Sequence, residues 1–293
     1  LTETMASYDD RLFLHVMLAE EDMHRKYQNN GFPTFSDPSR AMVALNAMMF
    51  FGQSFAAGDT DSLPAIPKPM QMKPAMNEQE TKAVLASFGL PVVEDVTCTS
   101  EADVRQGFGR AGGAVALKIL SADILHKTDI GGVMLNLRSE EEAVSAYQQI
   151  LENAHKHAAE AKIDGVMLSP MIGDGVDLIV GAQTDPIFGA MVMVGIGGIH
   201  AELLKDVTFM RAPISPSAAR SMLEQLKLYP LLKGVRGAKS CDIEAVAKTI
   251  SDFSAFVAAH EEQLASFEIN PLRALPDGCV ALDALAVCKV EGK

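Results

Sequence analysis

The stretch "SADILHKTDIGGV", residues 121–133, lies between two apolar runs, "VALKIL" and "VMLNL". A turn between strands needs little more than glycine and a polar residue. Here Asp123, His126, Lys127, Thr128 and Asp129 crowd in ahead of Gly131 and Gly132. Histidine titrates near neutrality, so a ring nitrogen of His126 has a lone pair available for nucleophilic attack at physiological pH. A neighbouring acid would hold its tautomer and steady the imidazolium. Paired glycines would let the backbone bend and approach an anion. Taken alone, a loop histidine is more simply an exposed polar residue. That plain account is kept for His15, His24, His155, His157, His200 and His260, which fall on predicted strands, helices or turns.

A second polar set falls in a predicted hairpin, "FEINPL" and "CVALDALAV", joined by "LPDG" with Pro276 and Asp277 at its centre. Symmetric pairing about that centre makes the numbers of facing residues sum to 553, so Asn270 faces Asp283. Glu268 shares the face of Asn270 by strand alternation. Oxygen-rich side chains in so apolar a hairpin are costly to bury unless something positive joins them. Magnesium, held by one or two protein oxygens together with substrate phosphates, would serve. The alternative is that Asp283 caps local backbone while Glu268 is solvated, and spacing does not choose between them.

Lys118 interrupts "AVALKIL". A lysine inside a buried strand needs an anionic partner, such as a nucleotide phosphate, whereas on an edge strand it would reach water along its own stem. Gly195, Gly197 and Gly198, in "GIGG", follow an apolar strand as a phosphate-cradling loop would. They match neither the dinucleotide fingerprint nor a Walker loop, and a tight turn is the simpler explanation.

These residues need elements to position them. "RLFLHVMLAE" reads as a strand, "EDMHRKYQNNG" as a helix stopped by Gly31, "FPTFSD" as a strand, and "PSRAMVALNAMMFFGQSF" as a helix capped by Asp37. That β-α-β-α run, residues 1–56, is expected to be the tail of a parallel α/β domain. Residues 57–75 hold four of the chain's 14 prolines and should form an extended tether. From residue 76 the pattern changes. A capping box at Asn77 and Glu80 starts a helix ended by Gly89 and Pro91, and another at Ser139 and Glu142 starts a helix with a Val144, Tyr147, Ile150, Leu151, Ala154 stripe. "DGVMLSPMI", "VDLIVGAQT" and "AMVMVGIGG" read as strands, with Gly173-Asp174-Gly175 and "DPIFG" as hairpin turns, and helices follow near 216–227 and 242–264. Hairpins interleaved with helices predict antiparallel α+β lobes.

Composition bounds the partners. The 293 residues carry a net charge of -13, which argues against a nucleic-acid surface. The richest apolar stretch, "AMVALNAMMFFGQSFAAG", is interrupted by Asn46 and Gln53 and is too short to span a bilayer. Cys98, Cys241, Cys279 and Cys288 form no metal-binding spacing and read as buried thiols of a cytoplasmic protein. The chain begins with Leu1, so a fragment or a processed piece is expected.

Together, "LKILSADILHKTDIGGVMLNL", "DPIFGAMVMVGIGGIHAELLKDVTFMRAP", "LLKGVRG" and "FEINPL" with its following "LDA" resemble the ATP-grasp region of ADP-forming acyl-CoA synthetases. More distantly they resemble the nucleotide-binding subunit of succinyl-CoA synthetase. The similarity runs in order from about residue 68 to the end, and residues 1–56 resemble the end of the flavodoxin-like domain that precedes it in fused members. The resemblance implies an α+β ATP-grasp fold over residues 76–293, two α+β lobes around a nucleotide cleft. It implies an acid–thiol ligase, acyl-CoA + ADP + phosphate = acid + CoA + ATP, of which this chain is an incomplete part.

By the same resemblance His126 is a phosphohistidine that exchanges phosphate with Mg-ADP, with Lys127 offsetting its charge and Asp123 or Asp129 orienting its ring. Lys118, the hinge residues Ser169 and Met171, and Gly197 and Gly198 would bind the nucleotide; Asn270, Asp283 and Glu268 would hold Mg2+. Asp177 stands where many members have glutamate, and the hinge "LSPMI" lacks a common acidic residue, which leaves ATP against GTP open. Coenzyme A would bind upstream domains or a partner subunit, in an oligomer without nucleic-acid or membrane partners. Two rivals stand beside this reading: a non-catalytic regulatory ATP-grasp module of an acetyltransferase fusion, and an ATP-grasp ligase that works without phosphohistidine.

Overall fold

The computed structural model describes residues 8, 11–57, 62–124, 126–197, 206–235 and 237–289. It divides into two compact units, Leu1–Thr60 and Asp61–Lys293.

In the first unit, β1 (His15–Val16) pairs in parallel with β2 (Thr34–Phe35) across the helix α1 (Glu21–Asn29). The strand expected over "RLFLHVMLAE" shrinks to two residues because only Thr34 and Phe35 lie opposite to complete its hydrogen bonds. The helix α2 (Pro38–Ala57) starts as expected, with Asp37 Oδ1 accepting the Ser39 N–H at 2.7 Å.

The second unit opens with residues 62–76 in irregular backbone. They are strapped rather than loose: Met70 donates its N–H to the buried His260 Nε2 at 3.0 Å, and Gln263 bonds Met70 O and Met72 N–H, both at 2.9 Å. The helix α3 (Glu78–Ser87) carries the complete capping box of Asn77 and Glu80. Two sheets follow. The smaller has the order β3 (Val96–Cys98), β6 (Gly165–Pro170), β4 (Val115–Leu120), β5 (Val133–Leu137), all antiparallel. The helices α4 (Glu101–Ala111) and α5 (Glu140–His157) share its core, which includes Val104, Leu117, Ile119, Tyr147, Ile150 and Leu168. The cap of α5 is half a box: Ser139 Oγ accepts the Glu142 N–H, but the Glu142 carboxylate takes the Arg138 N–H instead.

The larger sheet has six strands: β11 (Cys279–Ala281), β10 (Leu264–Ala274), β7 (Val176–Asp185), β8 (Gly189–Ile196) and β9 (Val207–Arg211) in that order, with β12 (Ala284–Cys288) also paired to β10. The helices α6 (Pro216–Glu224) and α7 (Ile243–Ala259) join α3 in its core, around Val180, Val194, Leu223, Phe253, Phe256 and Phe267. "DPIFG" is the expected hairpin turn, with Asp185 facing Gly189. Gly173-Asp174-Gly175 is not. The strands on either side of it belong to different sheets, so the segment is the crossover between lobes.

Strand parity sets up the site. Val115, Leu117 and Ile119 face the core under α4 and α5, so Lys118 points from the opposite face of β4. Phe267 and Ile269 face the core under α7, so Glu268 and Asn270 point the other way. The helix α3 packs its Val84 and Leu85 into the larger lobe while Glu78 and Lys82 meet the smaller lobe's Lys118 and Asp95.

Candidate active site

Residues 127–132 of the loop are folded tightly onto β4. Lys127–Ile130 form one 3-10 turn, closed by Gly132 N–H donating to Lys127 O at 2.8 Å, and Gly132 O accepts the Ile119 N–H at 2.8 Å. A Cβ on Gly132 would lie 2.7 Å from Ile119 Cγ2 and 2.9 Å from Lys127 O. Gly131 has φ +67, and a Cβ there would lie 2.7 Å from Asn153 Nδ2. The paired glycines are therefore required by the close approach of the turn to its neighbours. Asp123 is committed to this fold, its carboxylate accepting the Lys162 N–H at 2.8 Å. Asp129, the other acid expected to orient the imidazole, lines a cleft beside His126.

That cleft measures about 520 Å3, and its polar wall includes His126, Lys127, Asp129, Glu268, Asn270 and Asp283. His126 is exposed to it. The C-terminal hairpin has the register expected from its turn: Leu272 faces Ala281, Ile269 faces Ala284, and between them Asn270 donates its N–H to Asp283 O at 3.1 Å. Asn270 Nδ2 donates to Glu268 Oε1 at 2.9 Å, so the amide and the two acids line one wall. A neighbouring hollow shares Glu268 and Asn270 and continues over Ile179, Met191, Met193 and Phe209.

Behind the cleft lies a buried network of three acids and three lysines. Lys118 sits on an interior strand, which excludes the edge-strand account, and its ammonium contacts Glu78 Oε1 at 2.8 Å, Asp283 Oδ2 at 2.9 Å and Leu282 O at 3.0 Å. Lys127 reaches Glu78 Oε2 at 2.7 Å and lies 3.7 Å from Asp283 Oδ1. Lys82 pairs with Asp95 at 2.5 Å and with Glu78 at 3.1 Å. Side-chain exposure rises from 1% at Glu78 to 27% at Asp283, which marks the end open to the cleft.

Burial pushes the Glu78 carboxyl up, but Lys118, Lys127 and Lys82 outweigh it and hold the group down at about 2. Burial, then the charge of Glu78, raises Asp283 above its ordinary range despite Lys118 and Lys127. Burial acts to lower Lys118, and Glu78 with Asp283 overcome it and raise the ammonium. The most protected anion is therefore Glu78, while Asp283 is the carboxylate of the network that reaches the cleft.

The structure thus gathers His126, Asn270, Asp283 and Glu268 on one cleft, with Lys118 directly behind Asp283. Ser169, Met171 and Gly197 do not line it. Ser169 Oγ donates to Asp95 at 2.5 Å, Met171 N–H donates to Ala114 O at 2.9 Å, and Gly197 N–H donates to Asp177 O at 2.6 Å. Gly198 lies outside the described residues. Asp177 is held by both arms of the Arg273 guanidinium, at 2.7 and 2.9 Å, and Arg273 also donates to Ile172 O at 3.0 Å. Glu78, Lys82 and Asp95 were not singled out from sequence. Their only local signal is the i, i+4 spacing of Glu78 and Lys82, which ordinarily marks a solvated helix face.

No three His, Cys, Asp or Glu side chains converge to hold a metal among the described residues. The hard oxygens of Asp283, Glu268 and Asn270 fit a magnesium ion whose remaining positions are filled by phosphate and water.

Residues 70–287 match the ATP-grasp domain family. The chain is 38% identical over 221 residues to the acetate–CoA ligase [ADP-forming] II subunit beta of Pyrococcus furiosus, covering 75% of this chain and 94% of that one. Among solved structures it is similar to the dinucleotide forming acetyl-coenzyme A synthetase 1 of Ca. Korarchaeum cryptofilum in complex with coenzyme A, Ca-AMPCP and HgCl+. The identity is 37%, the TM-score 0.70, and the match covers 74% of this chain and 94% of that chain. Two further structures of that protein, both 36% identical, describe a phosphohistidine segment. With Mg-AMPPCP it points towards the nucleotide binding site (TM-score 0.62, covering 74% and 94%), and phosphorylated it takes a "site I orientation" (TM-score 0.65, covering 73% and 93%).

Proposed function

The chain belongs to the ATP-grasp domain family, and on that premise we propose that it is the nucleotide-handling part of an ADP-forming acyl-CoA synthetase. Its half of the reaction moves a phosphoryl group between His126 and a nucleoside diphosphate. One observation carries the reading: the imidazole of His126 lines the same cleft as Asn270, Asp283 and Glu268.

In the direction that consumes ATP, a ring nitrogen of His126 attacks the γ-phosphorus. The N–P bond forms as the bond to the β,γ-bridging oxygen breaks, and ADP departs with that electron pair. The reverse step makes ATP from phosphohistidine and ADP. Asp129, which lines the same cleft, is assigned the role of orienting the ring. Asp283, Glu268 and Asn270 would hold Mg2+, which supplies charge neutralisation at the phosphates. Lys118 holds Asp283 in place from behind. Ser169, Met171 and Gly197 are assigned to the nucleotide by family resemblance alone.

Coenzyme A and the acid are assigned to other domains or a partner subunit. Residues 1–56, with their β-α-β-α order, are assigned to the tail of a flavodoxin-like CoA-ligase domain. The four free thiols suit the cytoplasm, and no helix among the described residues is long and apolar enough to cross a membrane. Presence of His126 on the cleft favours this reading over a ligase without phosphohistidine.

The half-reaction is testable on the chain itself. Labelled ADP should exchange into ATP in the presence of Mg2+ without coenzyme A or any acid. His126→Ala should abolish the exchange while leaving nucleotide binding intact. Exchange that persists in His126→Ala would refute the assignment.

A further inference from the structure

We propose that Glu78 and Lys127 form an electrostatic latch that holds the His126 segment at the nucleotide end of its travel. The proposal rests on the reading of His126 as a phosphoryl relay, and it adds two positioning residues to it. Glu78 is outside the set assigned to magnesium and does not line the cleft, yet its carboxylate is the hub of the buried network. Oε1 is occupied by Lys118 and Lys82, which come from β4 and α3. Oε2 is buried with no hydrogen-bond partner among the described residues, and the ammonium of Lys127, the residue next to His126, is ion-paired with it.

With Lys127 docked, the network is balanced: Glu78, Asp95 and Asp283 against Lys82, Lys118 and Lys127. Lys82 and Lys118 are fixed in place by their strand and helix and by Leu282 O, which accepts from both. Lys127 is the exception, since it is carried by a short turn that rests on β4 through Gly132. Any excursion of His126 must withdraw Lys127 and leave Glu78 Oε2 buried without a counter-charge, which is strongly disfavoured. The relative whose segment adopts two orientations shows that such an excursion occurs in a similar protein. In this chain the buried anion sets which orientation is the resting one.

Amide hydrogen exchange of the full chain, without nucleotide, tests the latch at the amides of Gly131 and Gly132. Lys127→Met should speed their exchange by about tenfold or more, as expected for loss of an ion pair at a largely desolvated site. Glu78→Gln should do the same, the double variant should add nothing to either single one, and Lys127→Arg should restore protection. If Glu78→Gln fails to fold, the contrast between Lys127→Met and Lys127→Arg decides alone. Unchanged exchange in Lys127→Met, additive effects in the double variant, or failure of arginine to rescue would each overturn the latch. Because exchange needs no phosphoryl transfer, these outcomes do not depend on whether His126 is phosphorylated. Intact ADP–ATP exchange with an absent latch would sink this inference and spare the relay.

Discussion

A lysine in the middle of an all-buried strand survives here because two carboxylates and a backbone carbonyl surround its ammonium. Replacing Lys118 with methionine would remove the buried cation that hydrogen-bonds both Glu78 and Asp283, leaving only Lys127 to span the two acids. Thermal or denaturant unfolding of Lys118→Met should show a loss of about 3–5 kcal/mol, the usual cost of removing one partner from a buried pair. Asp283→Ala has a different signature. It removes the carboxylate assigned with Asn270 and Glu268 to magnesium, so calorimetric titration should show Mg2+-dependent nucleotide affinity falling at least about tenfold, with little left for magnesium to add. Loop crowding and turn symmetry are local, so they bring His126, Asn270 and Asp283 forward in the sequence, but their roles come from the family resemblance. Glu78 and Lys82 were not legible there, since an acid and a lysine four apart in a first helical turn look solvated. Only the packing of α3 between the two lobes turns that face inward.

At the level of elements, turn chemistry decided what could be read ahead. The pairing about Pro276 and Asp277 carries through the ladder as far as Ser266 and Val287, so one short turn fixed the position of three site residues. Gly173-Asp174-Gly175 has equally good turn residues, but it joins two sheets, and no local signal separates a hairpin from a crossover. The loop holding His126 gives its own prediction. Gly132→Ala places a methyl group against Ile119 and Lys127 O, so the turn must shift, at a cost of about 1–3 kcal/mol. The effect should appear as faster hydrogen exchange in residues 126–132, with the remaining protection pattern preserved.

The box that starts α4 predicts a pH effect. The Thr99 N–H, with the hydroxyl groups and backbone of Ser100 and Thr99, holds Asp103 below its ordinary value of 3.8. A carboxyl lowered on folding stabilises above its unfolded value and loses that contribution as pH falls through the folded one. Asp103→Asn should therefore flatten the acid side of the melting-temperature profile below about pH 4 without changing its slope near neutrality.

For the whole molecule, proline content and a switch from parallel to antiparallel signals mark a tether over residues 57–75, and the division between the two compact units at Thr60 falls inside it. The strapping of residues 70–72 by His260 and Gln263 was not visible in sequence, because it joins positions some 190 residues apart. The second unit contains both sheets, both cores and all the described residues assigned to phosphate and magnesium. Residues 62–293 expressed alone should melt cooperatively and bind Mg-ADP with the affinity of the full chain, as calorimetry would show. The central claim is a phosphoryl group carried on one imidazole, and mass spectrometry of the chain after incubation with Mg-ATP addresses it most directly. The account predicts an acid-labile, alkali-stable phosphate on His126 that disappears in His126→Ala. Mg-ATP bound at the cleft with residue 126 left unmodified, even when the CoA-binding partner is supplied, would contradict it.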